Sequence, residues 1–420
     1  MEKKLFYQMY PLPWFYKCWN NQTEIKEQGQ ILPAPKSYGL WEMRDEFEKL
    51  KDLGVDVIWL SGALNSPRKD HGYDVMDYKR IDPQVGAMIS ESSIYTIYDF
   101  IKDTHNIGAK LIIDLVLNHT STKHEWFLSR REDYYYFLDE PKPNWHNLFD
   151  DGSAWKYDVA TKKYYCHMFH EDQADLAWFD AQGNINEALV QEFRDIVKFW
   201  LDMGVDGFRL DVPQSINKDI NSDKLDFGDM LGGSRSKEVI NRIFKGYHCL
   251  LLMECFDPTY GDLSKTYIEE TPVQYIMNVL IKGLESDQRR MIHHLSQAVP
   301  GYVLDLESHD SCRCLSRPGM TFEDELELLF NSGATNVCLY QGQELGLKNP
   351  ELSREQMLDL DAQAAMQLAA GKSFESLKDI SRANARFPLP EGEYEKQRDS
   401  VELTPFKKIQ AAIEIWKVCG

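Results

Sequence analysis

The chain contains a recurring joint in which an amphipathic helix ends at a glycine and a short apolar strand follows directly. Three copies span residues 47–60, 97–116 and 189–210, with Gly54, Gly108 and Gly204 at the junctions. A glycine at this place supplies the left-handed conformation that closes a helix. The strands are apolar on both faces and alternate with helices, a pattern typical of a parallel sheet covered by helices.

Eight strands of this kind are predicted in all. The five beyond the repeated joint are 5–10, 250–256, 273–279, 302–306 and 336–340. Helices are predicted at 41–53, 92–105, 187–203, 237–247, 287–297, 322–331 and 405–417. The count favours an α/β fold of the (β/α)8 TIM-barrel type over an open doubly wound sheet, which would usually bring a glycine-rich phosphate turn that we do not find.

One stretch interrupts the alternation. Residues 119–180 are rich in Tyr, Trp, Asp, Asn and Pro and lack helical periodicity. We interpret them as a small domain inserted after the third strand. The predicted organisation is therefore a first barrel part (1–118), the insert (119–180) and a second barrel part (181–420).

Composition and charge exclude several classes of partner. The 420 residues carry 67 acidic and 47 basic side chains, a net charge of −20 that opposes binding to nucleic acid or an anionic membrane. No apolar run reaches the length of a membrane span, and the first ten residues lack a secretory signal, so we expect a cytoplasmic protein. The eight cysteines have no paired metal spacing and are interpreted as reduced thiols.

Barrel enzymes place their working residues at the carboxyl ends of the strands. The polar residues predicted there are Asp114, Asn118, His119, Arg209, Asp211, Glu254, His309 and Asp310. A single acid at a strand end is more often a helix cap or a loop residue, but four acids with two histidines and an arginine are harder to explain as caps. A metal site built from Asp114, His119, His309 and Asp310 is the rival interpretation, although the sequence has no HExxH motif. We expect no metal and no cofactor.

Paired carboxylates indicate chemistry at a glycosidic bond, where one ionised acid attacks the anomeric carbon and a protonated acid donates to the leaving oxygen. Arg209 lies two residues before Asp211 on the same strand face and would keep Asp211 ionised, which favours Asp211 as the nucleophile. Glu254 follows an apolar run, and partial burial would raise its pKa and suit it to proton donation.

Several motifs, in order, make the chain similar to the α-amylase superfamily, glycoside hydrolase family 13. Residues 114–119 (DLVLNH) match its DxxxNH segment, 207–211 (GFRLD) match GFRxD, Glu254 matches the strand-5 acid, and 308–310 (SHD) match NHD with Ser308 in place of Asn. Further support comes from 7–11 (YQMYP), 71–78 (HGYDVMDY) and 340–346 (YQGQELG). The resemblance implies a (β/α)8 barrel with a small domain after strand 3.

The same resemblance implies roles for individual residues. Asp211 would be the nucleophile, Glu254 the acid/base and Asp310 the transition-state stabiliser of a double displacement with retention. The residues implied to bind the sugar or hold the nucleophile are Tyr73, Asp74, His119, Arg209, His309 and Arg386. Asp114 would be structural. Arg386 is expected to pair with Asp74 and close the site behind a terminal glucose.

The subfamily implied is the oligo-1,6-glucosidase and α-glucosidase group. Residues 173–178 (QADLAW) resemble its QPDLNW segment, 381–386 (SRANAR) resemble SRDNAR, and Val212 is the residue that α-1,6-acting members tend to carry after the nucleophile. Two departures concern the fold. Residues 20–23 lack the acidic ligands of the calcium loop in relatives, and the chain ends after the predicted eighth helix, where relatives continue into a β-sandwich that we expect to be absent.

The function expected is a retaining, exo-acting α-glucosidase that hydrolyses short α-1,6- or α-1,4-linked oligosaccharides or disaccharides. One alternative is a transglycosylase or isomerase that uses the same glycosyl enzyme on glucans, sucrose or trehalose. Another is a non-catalytic relative that binds sugar or a partner protein. Homodimerisation is a further hypothesis, because a missing sandwich would expose a face of the barrel.

Overall fold

Eight parallel strands, numbered here β1–β8, form the central sheet of the computed structural model. The structure describes residues 2–12, 24–27, 30–33, 39–86, 88–90, 93–225, 227–283, 288–387, 389–390 and 392–418. The strands are β1 Lys4–Met9, β2 Val57–Leu60, β3 Lys110–Val116, β4 Gly207–Asp211, β5 Leu250–Cys255, β6 Tyr275–Asn278, β7 Val303–Asp305 and β8 Asn336–Tyr340. Their order is β6-β5-β4-β3-β2-β1-β8-β7, and a parallel bridge between Ile276 and Tyr302 joins the two edges. The predicted (β/α)8 barrel is confirmed.

Side chains alternate between the barrel interior and the helices because a strand has a period of two. On β4, Phe208 and Leu210 pack into the core beneath the helices, which leaves Arg209 and Asp211 on the interior face. Gly207 begins this strand, and a Cβ there would lie 1.9 Å from the carbonyl oxygen of Leu250. Only glycine therefore lets β4 approach β5 in this register.

The helices that lie outside residues 119–180, in the part of the chain that the structure describes, include a counterpart of each predicted helix. They are Leu40–Arg44, Phe47–Asp52, Ile97–Asn106, Glu187–Met203, Phe227–Leu231, Arg235–Phe244, Asp262–Glu270, Gln288–Ala298, Phe322–Asn331, Arg354–Leu360, Ala362–Ala369, Phe374–Leu377, Glu393–Asp399 and Pro405–Val418. The helix predicted at 41–53 is broken into two. Of these helices, the ones that correspond to none of the seven predicted ranges are Phe227–Leu231, Asp262–Glu270, Arg354–Leu360, Ala362–Ala369, Phe374–Leu377 and Glu393–Asp399. No helix in the described ranges is long and apolar enough to cross a bilayer.

The segment 119–180 builds a small layer of its own. His119–Ser121 pairs antiparallel with Gln173–Asp175, and a three-stranded sheet is formed by Phe137–Leu138, Trp155–Asp158 and Lys163–Cys166. A short helix, Glu125–Leu128, lies between them. This layer has a separate apolar core that includes Trp145 and Trp155. The boundaries at 118 and 180 remain predictions.

The remaining elements are short. Two-stranded pairs are Glu24–Glu27 with Gln30–Pro33, Leu64–Asn65 with Asp77–Ile81, Met88–Ser90 with Ser93–Ile94, and Asn144–Trp145 with Lys224–Leu225. Single turns of 3-10 helix lie at Pro213–Ile216, Val279–Gly283, Cys314–Ser316, Gln343–Leu345 and Arg382–Ala385. Several of these turns directly follow barrel strands and so carry side chains toward one end of the barrel.

Candidate active site

A cavity of about 470 Å³ opens at the carboxyl ends of the barrel strands. Its polar lining consists of Asp70, His119, Asp211, Glu254, Lys282, Asp310, Ser311, Gln363 and Arg382. Its apolar and aromatic lining consists of Tyr73, Leu148, Phe149, Phe169, Val212, Phe256, Val279 and Leu280. The three predicted catalytic acids therefore lie in the wall of one cavity.

Arg209 links three carboxylates beside the cavity. Its guanidinium lies 2.6 Å from Glu254 and 3.2 Å from Asp114, and it also contacts Asp211. The register of the sheet places Arg209 opposite Asp114 on β3. The same guanidinium lies over the ring of Trp59 at 4.8 Å. One buried guanidinium thus contacts three carboxylates at once.

The pKa of Asp211 differs from the sequence expectation. Burial raises it well above its ordinary value, and Glu254 and Asp114 act in the same direction, while Arg209 opposes them. Arg209 acts on this pKa in the direction expected from the sequence, but burial of the side chain outweighs it. That Asp211 is the nucleophile stays a prediction.

Asp114 is buried next to the cavity lining and fixes the groups around it by hydrogen bonds. Burial raises the pKa of this carboxyl to about 6. It accepts hydrogen bonds from the Trp59 indole at 3.2 Å, the Gly62 backbone at 2.7 Å and the Tyr73 hydroxyl at 3.2 Å. Asp114 therefore orients Tyr73 and Arg209 without lining the cavity itself.

The Asp310 carboxylate is contacted by nitrogen atoms of three neighbouring side chains. His309 Nε2 lies 2.9 Å from its carboxylate, Arg386 lies at 2.9 Å and Arg382 at 3.2 Å. Burial alone would raise the pKa of Asp310, but His309 and the two arginines outweigh it and hold the pKa well below its usual range. Asp310 is therefore ionised wherever the protein is folded near neutral pH.

His309 is held by stacking and by one amide. Its ring lies nearly parallel to Tyr73 at 4.9 Å and to Tyr10 at 5.2 Å, and its Nδ1 lies 2.7 Å from Gln8 Nε2. Burial lowers its pKa to about 4, so the ring is neutral at pH 7. A neutral ring next to Asp310 can donate one N–H to that carboxylate or to a ligand.

His119 lines the cavity and is held by Gln173. His119 Nε2 lies 2.9 Å from Gln173 Nε2, which also donates to Asp70 at 2.9 Å. Burial lowers the pKa of His119, so this ring is also neutral. Behind it, the buried Lys218 pairs with Asp175 at 3.2 Å. The QADLAW segment thus contacts two residues of the cavity wall, Asp70 and His119, through its glutamine.

The predicted pair of Asp74 and Arg386 is wrong. Asp74 is fully buried and accepts from Ser66 Oγ at 2.6 Å and from the backbone of Lys69 and Asp70. Arg386 donates to the backbone of His309 and Leu360 and to Asp310. Asp74 turns inward because the tight loop at 66–74 needs an acceptor for its backbone N–H groups.

The ion pair at this place joins Asp70 to Arg382, at 3.2 Å. Arg382 also contacts Asp361 at 3.1 Å and lies over the Phe149 ring at 5.2 Å. Both members of this pair line the cavity. The sequence offered a signal for them, since Asp70 precedes the HGYD motif and Arg382 is the first arginine of SRANAR, but the choice between paired positions required the fold.

Val212 has a strained backbone. Its φ is 32° and its ψ is 48°, the left-handed region that β-branched residues rarely adopt. This conformation turns the chain out of β4 directly after Asp211 and aims the backbone N–H of Val212 at Glu254, 3.2 Å away. Strain of this kind is frequent at functional sites.

The predicted site residues fall into three groups. Asp211, Glu254, Asp310, Tyr73 and His119 line the cavity. Arg209 and His309 lie behind it and contact its acids. Asp74 and Arg386 are also buried outside the lining, and of these two Arg386 contacts Asp310. The described residues contain no cluster of His, Cys, Asp or Glu arranged to hold a metal ion. The predicted lack of a calcium loop at 20–23 falls outside the described residues.

Sequence comparisons relate the chain to known glycosidases. A family model described as the α-amylase catalytic domain matches residues 40–244. An oligo-1,6-glucosidase from Heyndrickxia coagulans is 30% identical over 414 residues, covering 84% of this chain and 72% of that enzyme. A trehalose-6-phosphate hydrolase from Escherichia coli is 30% identical over 359 residues, covering 73% of this chain and 61% of that enzyme.

Solved structures share the fold over nearly the whole chain. The trehalose-6-phosphate hydrolase of Bacillus licheniformis superposes with a TM-score of 0.77 at 25% identity, covering 99% of this chain and 83% of that one. An isomaltulose synthase from Protaminobacter rubrum gives the same TM-score at 22% identity, with 99% and 83% coverage. The second likeness concerns the fold alone.

Proposed function

Because the chain belongs to the α-amylase family of glycoside hydrolases, we propose that it releases terminal glucose from short neutral α-glucosides with retention of configuration. The observation that carries this proposal is the common cavity wall formed by Asp211, Glu254 and Asp310. Retaining glycosidases need a nucleophilic carboxylate and an acid/base carboxyl on either side of the scissile bond. A third carboxylate can stabilise the positive charge that develops on the sugar.

In the proposed mechanism, the Asp211 carboxylate attacks the anomeric carbon while Glu254 gives its proton to the glycosidic oxygen, and the aglycone leaves. Water then loses a proton to the Glu254 carboxylate and attacks the same carbon, which releases Asp211 and forms α-glucose. Arg209 contacts both acids and fixes their positions relative to each other.

The pair of Asp70 and Arg382 supports exo action. It lies in the cavity wall together with Asp310, so these charged groups offer hydrogen bonds to the hydroxyls of a bound sugar. A cavity of about 470 Å³ suits one or two sugar rings rather than a long chain. We propose that this pair closes the end that receives the non-reducing glucose.

Pairing of the wall cations supports a neutral substrate. Lys282 is paired with Asp305, and Arg382 contacts three carboxylates. Among the described residues of the wall, no cation is left over for a phosphate group. We therefore propose neutral disaccharides and short oligosaccharides, rather than the phosphorylated sugar in the name of the Escherichia coli relative.

The linkage proposed is α-1,6, supported by Val212 and by the similarity to oligo-1,6-glucosidases. A second candidate is transglycosylation, supported by the apolar wall of Phe149, Phe169 and Phe256, which would keep water from the glycosyl enzyme. The two differ only in whether water or a sugar hydroxyl reaches the intermediate.

A proton NMR time course with maltose, isomaltose and trehalose 6-phosphate in one tube tests these proposals. We expect isomaltose to disappear fastest and α-glucose to appear before mutarotation. New glycosidic linkages would favour transglycosylation, and preferred cleavage of the phosphorylated sugar would overturn the proposal of a neutral substrate. The reducing glucose of each disaccharide contributes its equilibrium mixture of anomers, so retention would be overturned if the glucose released from the non-reducing end were the β anomer.

A further inference from the structure

Lys282 is a cavity-wall cation that no step of the proposed mechanism uses. It lies on the 3-10 turn Val279–Gly283, which follows β6. Its ammonium group forms an ion pair with Asp305 on β7 and donates to Ser308 Oγ at 2.9 Å. The side chain of Asp305 is 1% exposed and that of Lys282 is 12% exposed. The contact ties the end of β6 to the turn after β7.

Ser308 connects this lysine to Asp310. The backbone N–H of Asp310 donates to Ser308 Oγ at 3.2 Å, so that oxygen accepts from both Lys282 and Asp310. Ser311 closes the same turn, because its Oγ accepts from the backbone of Ser308 at 2.9 Å. A displacement of Ser308 would therefore move the backbone that carries the Asp310 carboxylate.

We propose that Lys282 is a positioning residue, which holds Ser308 and through it sets the place of the Asp310 carboxylate relative to Asp211 and Glu254. This inference rests on the proposed function, since it concerns a carboxylate of the same reaction. The charge of Lys282 is already matched by Asp305, so the lysine acts by geometry rather than by binding an anion. Ser308 is also the position at which this chain departs from the NHD segment of its family.

The ion pair with Asp305 explains why a largely buried lysine is tolerated at position 282. Burial raises the pKa of Asp305, and the ammonium of Lys282 acts against that rise. A buried carboxylate without a partner is costly, so each member of the pair holds the other in position. This pairing keeps the ammonium group within hydrogen-bonding distance of Ser308 and prevents it from turning toward solvent.

Four variants separate positioning from stability: Lys282→Met, Ser308→Ala, Asp305→Asn and the double variant Lys282→Met/Asp305→Asn. Hydrolysis of 4-nitrophenyl α-glucoside gives kcat and KM, and thermal unfolding gives Tm. We expect Lys282→Met to lower kcat about tenfold to a hundredfold with little change in KM, because small displacements of catalytic groups have effects of this size. Ser308→Ala should lower kcat while keeping the wild-type Tm. The double variant should regain Tm, because no unpaired buried charge remains, yet keep the low kcat.

Lys237→Met is the matched control, since Lys237 pairs with Glu270 on the outer helices and should leave kcat unchanged. Wild-type kcat in Lys282→Met, or a double variant whose kcat recovers together with Tm, would overturn the inference. If the wild-type protein hydrolyses no α-glucoside, the proposed function has failed, and a crystal structure of Lys282→Met then decides. An Asp310 carboxylate in its original place contradicts positioning, and a displaced one supports it.

Discussion

Asp70 and Arg382 form an ion pair of 3.2 Å across 312 residues of chain. Asp70 lies in the loop after β2 and Arg382 in the segment after β8. The ion pair therefore joins two loops at the carboxyl end of the barrel. Arg382 reaches Asp310 with the same guanidinium, at 3.2 Å. The contact between the two loops and the environment of Asp310 are therefore coupled through one side chain.

Replacing Asp70 and Asp74 in turn tests which of the two acids contributes to activity, the one paired with Arg382 or the one expected from the sequence. We expect Asp70→Asn to lower kcat/KM on disaccharides about tenfold to a hundredfold, because charge-assisted hydrogen bonds contribute about 1.5–3 kcal/mol. Asp74→Asn is the matched control and should act on stability, since Asp74 accepts only from Ser66 and loop backbone. Steady-state kinetics and urea unfolding of both variants test this. A larger kinetic defect in Asp74→Asn than in Asp70→Asn would restore the original assignment.

Azide rescue distinguishes the roles of Asp211 and Glu254. With α-glucosyl fluoride as substrate, Asp211→Ala should lose more than about a thousandfold in activity, and azide should restore turnover by attacking from the vacant β face, giving β-glucosyl azide. Glu254→Ala should still form the glycosyl enzyme, which azide attacks from the α face, giving α-glucosyl azide. NMR of the products assigns the anomer. Exchanged anomers would reverse the two roles, and Asp202→Asn on the surface is the control.

The acids at the strand ends could be predicted from sequence because two local rules fix them. Helix, glycine and apolar strand alternate regularly, and the carboxyl ends of parallel strands meet at one end of a barrel. Asp211, Glu254 and Asp310 are therefore brought together by the topology alone. Helix ends with good caps were also predictable, as for Glu187–Met203, which begins at Asn186 and ends at Gly204 in the left-handed conformation.

The rest depends on loops and on burial, which local patterns do not encode. Two acids, Asp70 and Asp74, lie four residues apart, and only the loop between them decides which faces the cavity. The junction at Asp361 between the helices Arg354–Leu360 and Ala362–Ala369 depends on the Asp361 side chain, which caps the second helix and also binds Arg382. The direction of the Asp211 pKa depends first on burial and then on the neighbouring charges of Arg209, Glu254 and Asp114, which are properties of the assembled barrel.

His124 makes stability depend on pH. Burial lowers its pKa from the ordinary 6.5 to about 4, with Asp77 opposing. Between these values the unfolded chain takes up a proton that the folded protein refuses, so stability falls as pH falls. At pH 4.5 the loss from this group is about 2.5 kcal/mol.

His124→Asn removes the titration but keeps a helix cap, because His124 Nδ1 accepts from the Trp126 backbone and asparagine is a good N-cap residue. Urea unfolding of both proteins at pH 7 and pH 4.5 measures the difference. We expect the wild-type protein to lose about 2.5 kcal/mol more than the variant between these two pH values. Equal losses would show that another group is responsible.

Val212 has a strained backbone and also lines the cavity, so a single substitution can change both features. Asparagine tolerates the left-handed conformation better than valine, so Val212→Asn should raise stability by about 1 kcal/mol. The backbone N–H to Glu254 is kept, so hydrolysis should survive. Val212→Ala removes the branched side chain while keeping a Cβ at positive φ, and it separates the two effects. If the valine side chain contacts the leaving sugar, both variants should lower the ratio of kcat/KM for isomaltose to kcat/KM for maltose. The gain in Tm should be larger for Val212→Asn than for Val212→Ala. An unchanged ratio in both variants would remove Val212 from the determinants of linkage.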